Sequence, residues 1–173
     1  YWRVDETVPG GAVRTGPVWS FTTVLPVEDF ESYTDDEGSR IYETWPDGWT
    51  NSTGSTVGNV QAPFAERTVV HGGVQSMPLD YNNVNAPYYS EAERTFVPVQ
   101  DWTVGGAGVL VLYLRGRTTN AAAPVYVSIT DASNRTGVVI HPDPGIAATN
   151  KWTAWRIPLS DLAAANVSLA RVK

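Results

Sequence analysis

The sequence contains no cysteine, and this absence excludes several kinds of site at once. Without thiols the chain forms no disulfide, no zinc–thiolate centre and no cysteine nucleophile. Only two histidines are present, His71 and His141, each beside turn-forming residues, and no serine lies in a Gly-x-Ser-x-Gly motif. We expect both histidines to be structural or surface residues, and the sequence predicts a protein that is not an enzyme.

Positive charge is also scarce, with 12 Lys and Arg against 18 Asp and Glu and a formal net charge of −6. Nucleic-acid binding depends on clustered Lys and Arg, and the chain has no basic run, so a nucleic-acid partner is excluded. The longest apolar stretches are about six residues, as in Val109–Leu114, which is too short for a bilayer-spanning helix, so no membrane insertion is predicted. An acidic surface suits a secreted or cell-surface protein, or one that binds calcium.

Carboxylates are numerous enough that a glycosidase pair stays open by count alone. The candidates are Asp35, Asp36, Glu37, Asp47, Glu91 and Glu93. Glu91 and Glu93 stand two apart and are followed by Arg94, which is more typical of a salt-bridged surface of a strand.

Turn residues and aromatic residues are plentiful, with 15 Gly, 12 Pro, 7 Trp and 8 Tyr. They separate short runs rich in Val, Thr, Tyr, Trp and Ile, which is the pattern of strands joined by turns. The sequence therefore predicts an all-β protein with strands over 2–4, 18–23, 67–70, 75–81, 89–96, 109–115, 125–131, 137–140 and 152–158. The one helix predicted covers 161–165, with Ser160 as its N-cap.

Two strands carry the clearest patterns. In 109–115 both alternating sets of side chains are apolar, which predicts a strand in the centre of a sheet. In 125–131 the apolar residues Val125, Val127 and Ile129 alternate with polar ones, which predicts one buried and one solvated face.

Pro26 marks a change of pattern, which divides the chain into residues 1–24, a linker at 25–28, and residues 29–173. The first part holds two predicted strands joined by a turn around Pro9, Gly10 and Gly11. An isolated hairpin is marginally stable at best in water, so this part is expected to lean on another element.

Residues 1–6 and 16–23, with the run Gly-Pro-Val-Trp-Ser-Phe-Thr-Thr, resemble the last two strands of a fibronectin type III or Ig-like repeat. Residues 27–33, 45–49, 70–77, 88–92 and 101–103 resemble a galactose-binding-like jelly roll, a fold of carbohydrate-binding modules in large secreted bacterial proteins. The resemblance implies a jelly-roll β-sandwich of two antiparallel sheets, preceded by the hairpin remnant of the fibronectin-like repeat.

Two features of the family pattern are missing from this sequence. Related jelly rolls close with a further pair of strands, and a fibronectin-like repeat has five strands before the two seen here. Missing strands leave backbone groups unpaired unless another segment supplies them. The chain is therefore expected to be either an excerpt of a longer polypeptide or a subunit completed by other copies, in which the front hairpin fills the gap of the next subunit.

Jelly rolls of this type often hold one structural calcium, and the resemblance implies where it would lie. The ligand would be Glu31, with Asp29 as the alternate, joined by oxygens of Gly73 and Ser76. The alternative is a polar strand start in which Asp29 caps a turn.

Aromatic residues carry the functional hypothesis, because sugar rings stack their C–H faces on Trp and Tyr while nearby amides bind the hydroxyls. Two groups of rings stand beside turns or amides, namely Trp45 and Trp49, and Tyr81, Tyr88 and Tyr89. Of Trp102, Trp152 and Trp155, at least two are expected in the core.

These observations together predict a non-catalytic, secreted or cell-surface module that binds a polysaccharide or surface glycan. The alternative is a structural subunit of a cell-surface array or fibre, assembled by strand complementation between copies.

Overall fold

The structure, a computed structural model, describes residues 2–19 and 26–173. The end of the predicted strand at 18–23 and the start of the predicted linker lie outside the described residues. The division of the chain at the linker therefore stays a prediction.

A hairpin forms at the front of the chain, as the sequence predicts. Its strands pair antiparallel, the first with the fourth and the second with the third, and they are β1 (Trp2–Arg3), β2 (Glu6–Thr7), β3 (Val13–Arg14) and β4 (Val18–Trp19). Gly10 and Gly11 turn the chain with φ angles of 103° and 82°, which residues with a Cβ rarely adopt. Val8 closes the turn by donating its backbone NH to the carbonyl of Ala12 at 3.0 Å.

The remaining described chain is rich in strands and poor in helix, so the β-rich class is confirmed. The strands are β5 (Ser55–Val57), β6 (Leu79–Tyr81), β7 (Val109–Leu114), β8 (Tyr126–Thr130), β9 (Thr136–Ile140) and β10 (Thr153–Pro158). The α-helices are α1 (Ile41–Thr44), α2 (Gly48–Asn51) and α3 (Leu159–Ala163). Short 3-10 turns cover Val104–Gly106, Ile146–Ala148 and Leu169–Arg171. Among the described residues the ladders are two-stranded, β5–β6, β7–β10 and β8–β9 besides the hairpin, and the jelly-roll arrangement stays a proposal.

The β7–β10 ladder covers the larger hydrophobic core. Leu110, Leu112 and Leu114 of β7 pack with the buried Trp155 and Ile157 of β10, because alternate residues of paired strands share one face. The core also includes Trp102, Leu159, Leu162, Val167 and Val172. Trp102 and Trp155 are thus core residues, as expected.

The opposite face of β7 lies towards solvent. Val109 and Tyr113 are 48% and 47% exposed. Within the described residues β7 pairs with β10 alone, so the prediction that this strand is central is wrong there. Apolar residues on both faces made the strand look doubly covered, although one of its faces is half exposed.

The β8–β9 ladder has one buried face, as predicted, because Val125, Val127 and Ile129 pack into the larger core. The end of the chain joins this ladder to the rest of the core. Val172 forms single antiparallel bridges with Gln100 and Asp131, and Lys173 donates its backbone NH to Thr130 at 3.0 Å.

A second, smaller core lies around α1 and β5. Its buried residues are Tyr33, Ile41, Val57 and Ala65, and partly buried aromatic and apolar side chains pack against them. This core supports the segment from which the candidate site is built.

Two of the predicted strands do not form. In each segment, backbone groups that would pair in a β-ladder make hydrogen bonds with side chains instead. In 67–70 the Glu66 carboxylate accepts the backbone NH groups of Thr68 and Val69 at 2.5 and 3.1 Å, which curls the chain. In 89–96 the carbonyl of Glu91 accepts from side chains of the α2–β5 segment. The predicted strand at 75–81 is shortened to β6, with a single bridge between Ser76 and Glu66.

The predicted helix at 161–165 exists but begins two residues earlier, as α3. Pro158 is its N-cap residue, and Ser160 lies inside the helix, so the prediction of Ser160 as the cap is wrong. Proline is compatible with this position because the φ of −57° found there lies within the range that its ring fixes. None of the helices among the described residues is long and apolar enough to cross a bilayer.

Candidate functional site

Trp49 is displayed by a one-turn helix whose start is fixed by a buried carboxylate. Asp47 is 5% exposed, and one of its oxygens accepts the backbone NH of Trp49 at 3.1 Å, which is the N-cap interaction of α2. Its other oxygen accepts the NH of Val57 at 2.7 Å. Asp47 therefore ties α2 to β5 and leaves the Trp49 side chain 90% exposed.

Gly54 joins the segment that follows α2 to two tyrosine-bearing segments. Its NH donates to the carbonyl of Tyr89 at 2.9 Å, and its carbonyl accepts the NH of Asn82 at 2.8 Å. A Cβ at this position would lie 2.0 Å from the carbonyl oxygen of Asn82, so only glycine allows the approach. This contact places residues 81–82 and 89 on either side of Gly54.

Three tyrosine side chains of these segments are exposed. Tyr81, at the end of β6, is 38% exposed, Tyr89 is 45% exposed and Tyr88 is 68% exposed. Tyr88 has a φ of 68°, which is an outlier for a bulky residue and carries a conformational cost. Such outliers concentrate at functional sites. We call Trp49, Tyr81, Tyr88 and Tyr89 the aromatic surface.

Amide groups accompany these rings. Asn82 and Asn83 use their side-chain oxygens, which accept the Val84 NH at 3.1 Å and the Ser90 hydroxyl at 2.7 Å. Their side-chain NH2 groups have no hydrogen-bond partner among the described residues and are available to a ligand. Rings and amide donors therefore occur together on these segments.

A polar network beneath the aromatic surface holds it to the rest of the protein. The carbonyl of Glu91 accepts from the side chains of Asn51 at 3.1 Å, Thr53 at 3.3 Å and Ser55. The Glu91 carboxylate accepts the hydroxyl of Tyr126 in β8. Burial first, and then this carboxylate, raise the pKa of Tyr126 above its usual value. The network therefore connects the loop segments to the β8–β9 ladder.

Trp45, the remaining ring predicted to bind a ligand, has a different environment. It is partly buried in the smaller core, where its ring lies 5.9 Å from that of Phe30. Its indole NH donates to the Tyr33 hydroxyl at 3.1 Å. The structure thus places Trp45 among core residues, whereas the other four predicted rings are exposed.

Two of the four predicted metal ligands lie close together. The Glu31 carboxylate lies at Gly73, where a Cβ would come within 2.0 Å of it, and accepts the NH of Val74 at 3.1 Å. Asp29 accepts the NH of Glu31 at 3.0 Å, and the Ser76 hydroxyl donates to the carbonyl of Val69 at 2.8 Å. Among residues 2–19 and 26–173 no group of three or more His, Asp or Glu side chains is arranged to hold a metal ion. Calcium binding at Glu31 stays a prediction.

A buried glutamine organises the same region. The Gln75 side chain is 5% exposed and donates to the carbonyls of Phe30 and Tyr33 at 2.5 and 2.9 Å. The segment at 30–33 and the turn at 72–75 are therefore held together by hydrogen bonds of the protein itself.

Sequence reasoning missed a partly buried ion pair whose arginine contacts Tyr33 of the smaller core. Arg94 pairs with Glu28, whose side chain is only 10% exposed, and donates to the Tyr33 hydroxyl at 2.9 Å. Burial lowers the pKa of Arg94 and raises that of Tyr33. The Nε of Arg94 is buried without a partner among the described residues. Since Glu28 and Arg94 are 66 positions apart in the chain, no local spacing pattern could reveal the pair.

The sequence also gave no sign of a cluster of rings around His71. His71 stacks on the ring of Tyr113 with centroids 3.6 Å apart, and it contacts Trp152 edge-on at 5.6 Å. His141 contacts the ring of Trp155 edge-on at 4.9 Å. Both histidines have ring contacts consistent with a structural role.

A search of protein-family models, curated proteins and solved structures found no match to this chain.

Proposed function

We propose that the protein is a non-catalytic, extracellular module that binds a polysaccharide or surface glycan through the aromatic surface. The observation that carries the proposal is the exposure of four rings, led by Trp49 at 90%, on α2, the end of β6 and residues 88–89. Asn82 and Asn83 present free amide donors beside the tyrosines. Large aromatic rings normally bury most of their area, so the exposure of four of them on segments that adjoin Gly54 is typical of a binding surface.

The chemistry of the surface suits a carbohydrate. Exposed Trp and Tyr rings stack on the C–H face of a sugar, and the NH2 groups of Asn82 and Asn83 can donate to its hydroxyls. The hydrogen bond from Asp47 fixes the backbone at Trp49, and the hydrogen bonds of Gly54 fix the backbone at Asn82 and Tyr89. Because these segments are ordered before a ligand arrives, binding loses less conformational entropy.

The wider assignment follows from the same proposal. The resemblance to galactose-binding-like modules supports a jelly-roll plan and a secreted or cell-surface location, and the absence of a basic cluster fits a neutral or uncharged glycan. A calcium ion at Glu31 and Gly73 would have a structural role at the turn, and it would not touch the sugar.

The test is affinity electrophoresis in gels that contain individual soluble polysaccharides, after a glycan array has selected them. Trp49→Ala and Tyr88→Ala each remove a stacking ring worth about 1–2 kcal/mol, so we expect about tenfold weaker binding for each. Stability should be unchanged because Trp49 has few protein contacts to lose.

Trp19→Ala is the matched control, since Trp19 is a 54% exposed tryptophan of the front hairpin. It should bind as tightly as the unchanged protein. The proposal is contradicted if all three variants bind the polysaccharide as tightly as the unchanged protein, or if no polysaccharide retards the unchanged protein in the gel. Release of reducing sugar from the polysaccharide would contradict the non-catalytic part of the proposal.

A further inference from the structure

The β7 strand has one hydrogen-bonded edge and one edge without partners. Leu159 donates its backbone NH to the carbonyl of Gly108 at 2.9 Å, which makes 108 and 159 a hydrogen-bonded pair. Hydrogen-bonded and non-hydrogen-bonded pairs alternate along an antiparallel ladder. The backbone groups that face β10 are therefore those of Leu110, Leu112 and Leu114.

The backbone NH and carbonyl groups of Val109, Val111 and Tyr113 consequently point away from β10. None of them has a hydrogen-bond partner among residues 2–19 and 26–173. We call these groups the free edge of β7. Proteins usually protect such an edge with a charge, a proline or a bulge, and Val109–Leu114 contains none of these.

We propose that two copies of this chain associate through the free edge of β7, antiparallel and symmetric about Val111. The edge is complementary to itself. In this register Val109 pairs with Tyr113 of the other copy, and Val111 pairs with its own equivalent. Each of these pairs exchanges two hydrogen bonds, and the result is a continuous four-stranded sheet with the order β10–β7–β7–β10.

Side chains and charge favour a second copy as the occupant. The Tyr113 ring already stacks on His71, but it remains 47% exposed. On the exposed face, this remaining area would pack on the half-exposed Val109 of the other strand, an aromatic–β-branched pair of the kind that stabilises sheets. The chain carries a net charge of −6, yet β7 is uncharged, so two copies can meet here without bringing like charges into contact.

A second strand offers the comparison that makes the proposal specific. Val138 of β9 is 54% exposed and lies on an edge that has no backbone partner at Val138 among the described residues. Symmetric pairing about Val138 would align Thr136 with Ile140 on the exposed face and Gly137 with Val139 on the other face. Both pairs offer less side-chain area than the corresponding β7 pairs, Val109 with Tyr113 and Leu110 with Leu112. The β7 edge is therefore the better self-partner, and β9 supplies the control.

The experiment is light scattering over a concentration series, with the unchanged chain and three variants. Val111→Lys places two ammonium groups at the symmetry axis and should weaken association at least tenfold. Val111→Thr keeps a β-branched, uncharged residue and should remain dimeric, as should Val138→Lys. Circular dichroism checks that all of them fold.

Hydrogen exchange gives a reading that needs no variant. The amides of Val109, Val111 and Tyr113 should become protected as the protein concentration rises, while that of Val138 should not. A monomer at high micromolar concentration, concentration-independent exchange at β7, or dissociation by Val138→Lys in place of Val111→Lys would overturn the proposal. Glycan binding by a monomer would remain measurable in each case.

Discussion

Replacing Asp47 by alanine should destabilise the protein more than truncating any of the four exposed rings of the candidate site. The carboxylate is 5% exposed and makes two hydrogen bonds to backbone NH groups. Loss of an N-cap costs about 1 kcal/mol. The NH of Val57, a residue only 3% exposed, would be left without a partner, at a cost of about 1–3 kcal/mol.

The two costs together amount to about 2–4 kcal/mol, which is a large share of the ~5–15 kcal/mol that stabilises a typical domain. A chain of this length should melt about 10 °C lower for such a loss. Urea denaturation followed by tryptophan fluorescence measures the change directly. Asp47→Asn keeps one acceptor oxygen, so its free energy of unfolding should fall by about half as much as that of Asp47→Ala.

Asp143→Ala is the control, because Asp143 is exposed and accepts a single NH, from Gly145 at 2.8 Å. It should cost about 0.5 kcal/mol or less. If Asp47→Ala were no more destabilising than Asp143→Ala, the argument that a buried carboxylate anchors α2 to β5 would be refuted.

Two titrating groups, Asp131 and Tyr126, should make the stability depend on pH, and the Glu31 carboxylate should make it depend on calcium. The backbone NH of Ser168 contributes most to lowering the pKa of Asp131 well below its usual range, followed by the backbone NH groups of Arg135 and Ser133 and the Arg135 side chain. Folding therefore favours the ionised carboxylate. Stability from this group is present above about pH 4 and lost as the pH falls, and Asp131→Asn should flatten the acid side of a plot of urea midpoint against pH. The raised pKa of Tyr126 means that folding favours the neutral phenol, so stability is present below about pH 10 and declines above it, and Tyr126→Phe should remove that decline in the same plot. Added calcium should raise the melting temperature of the unchanged protein but not of Glu31→Gln, and identical melting curves with and without calcium would contradict the prediction of a calcium site.

Local patterns predicted the parts of the fold that depend on neighbouring residues. The alternation of Val125, Val127 and Ile129 identified a strand with one buried face, and Gly10 and Gly11 identified the turn of the front hairpin. The helix near the end of the chain was predicted because its signals are local too, although its start was misplaced by two residues.

Patterns failed where distant residues decide the outcome. The segment at 89–96 has the composition of a strand, but its backbone is held by side chains of Asn51, Thr53 and Ser55, which lie about 40 positions earlier. A sequence pattern cannot show that these side chains will reach the carbonyl of Glu91. The apolar residues on both faces of β7 likewise predict a strand covered on both sides, but the sequence pattern does not show whether a distant segment covers the second face.

Ligand binding at the five predicted rings stays a prediction, and the structure bears only on their exposure. Four of the five rings chosen as ligand contacts are exposed, because each stands beside turn residues that keep it on the surface. Trp45 was chosen for the same reason, but its ring packs on Phe30 and its indole NH bonds Tyr33. The local sequence predicts that a ring is near a turn, whereas the packing of the folded chain decides whether that ring faces the core, as Trp45 does, or the solvent, as Trp49 does.

The two hydrogen bonds of Gly54 have a practical consequence for engineering. The tyrosine-bearing segments are joined through the main chain of Gly54 and through the side chains of Asn83 and Ser90. Their spacing therefore does not depend on which side chains stand at positions 81, 88 and 89. Residues 81, 88 and 89 can therefore be randomised as a library while the distance between their backbones is conserved. Any variant selected for a new ligand should then owe its specificity to the new side chains at these three positions, and such a library must leave Gly54, Asn83 and Ser90 untouched.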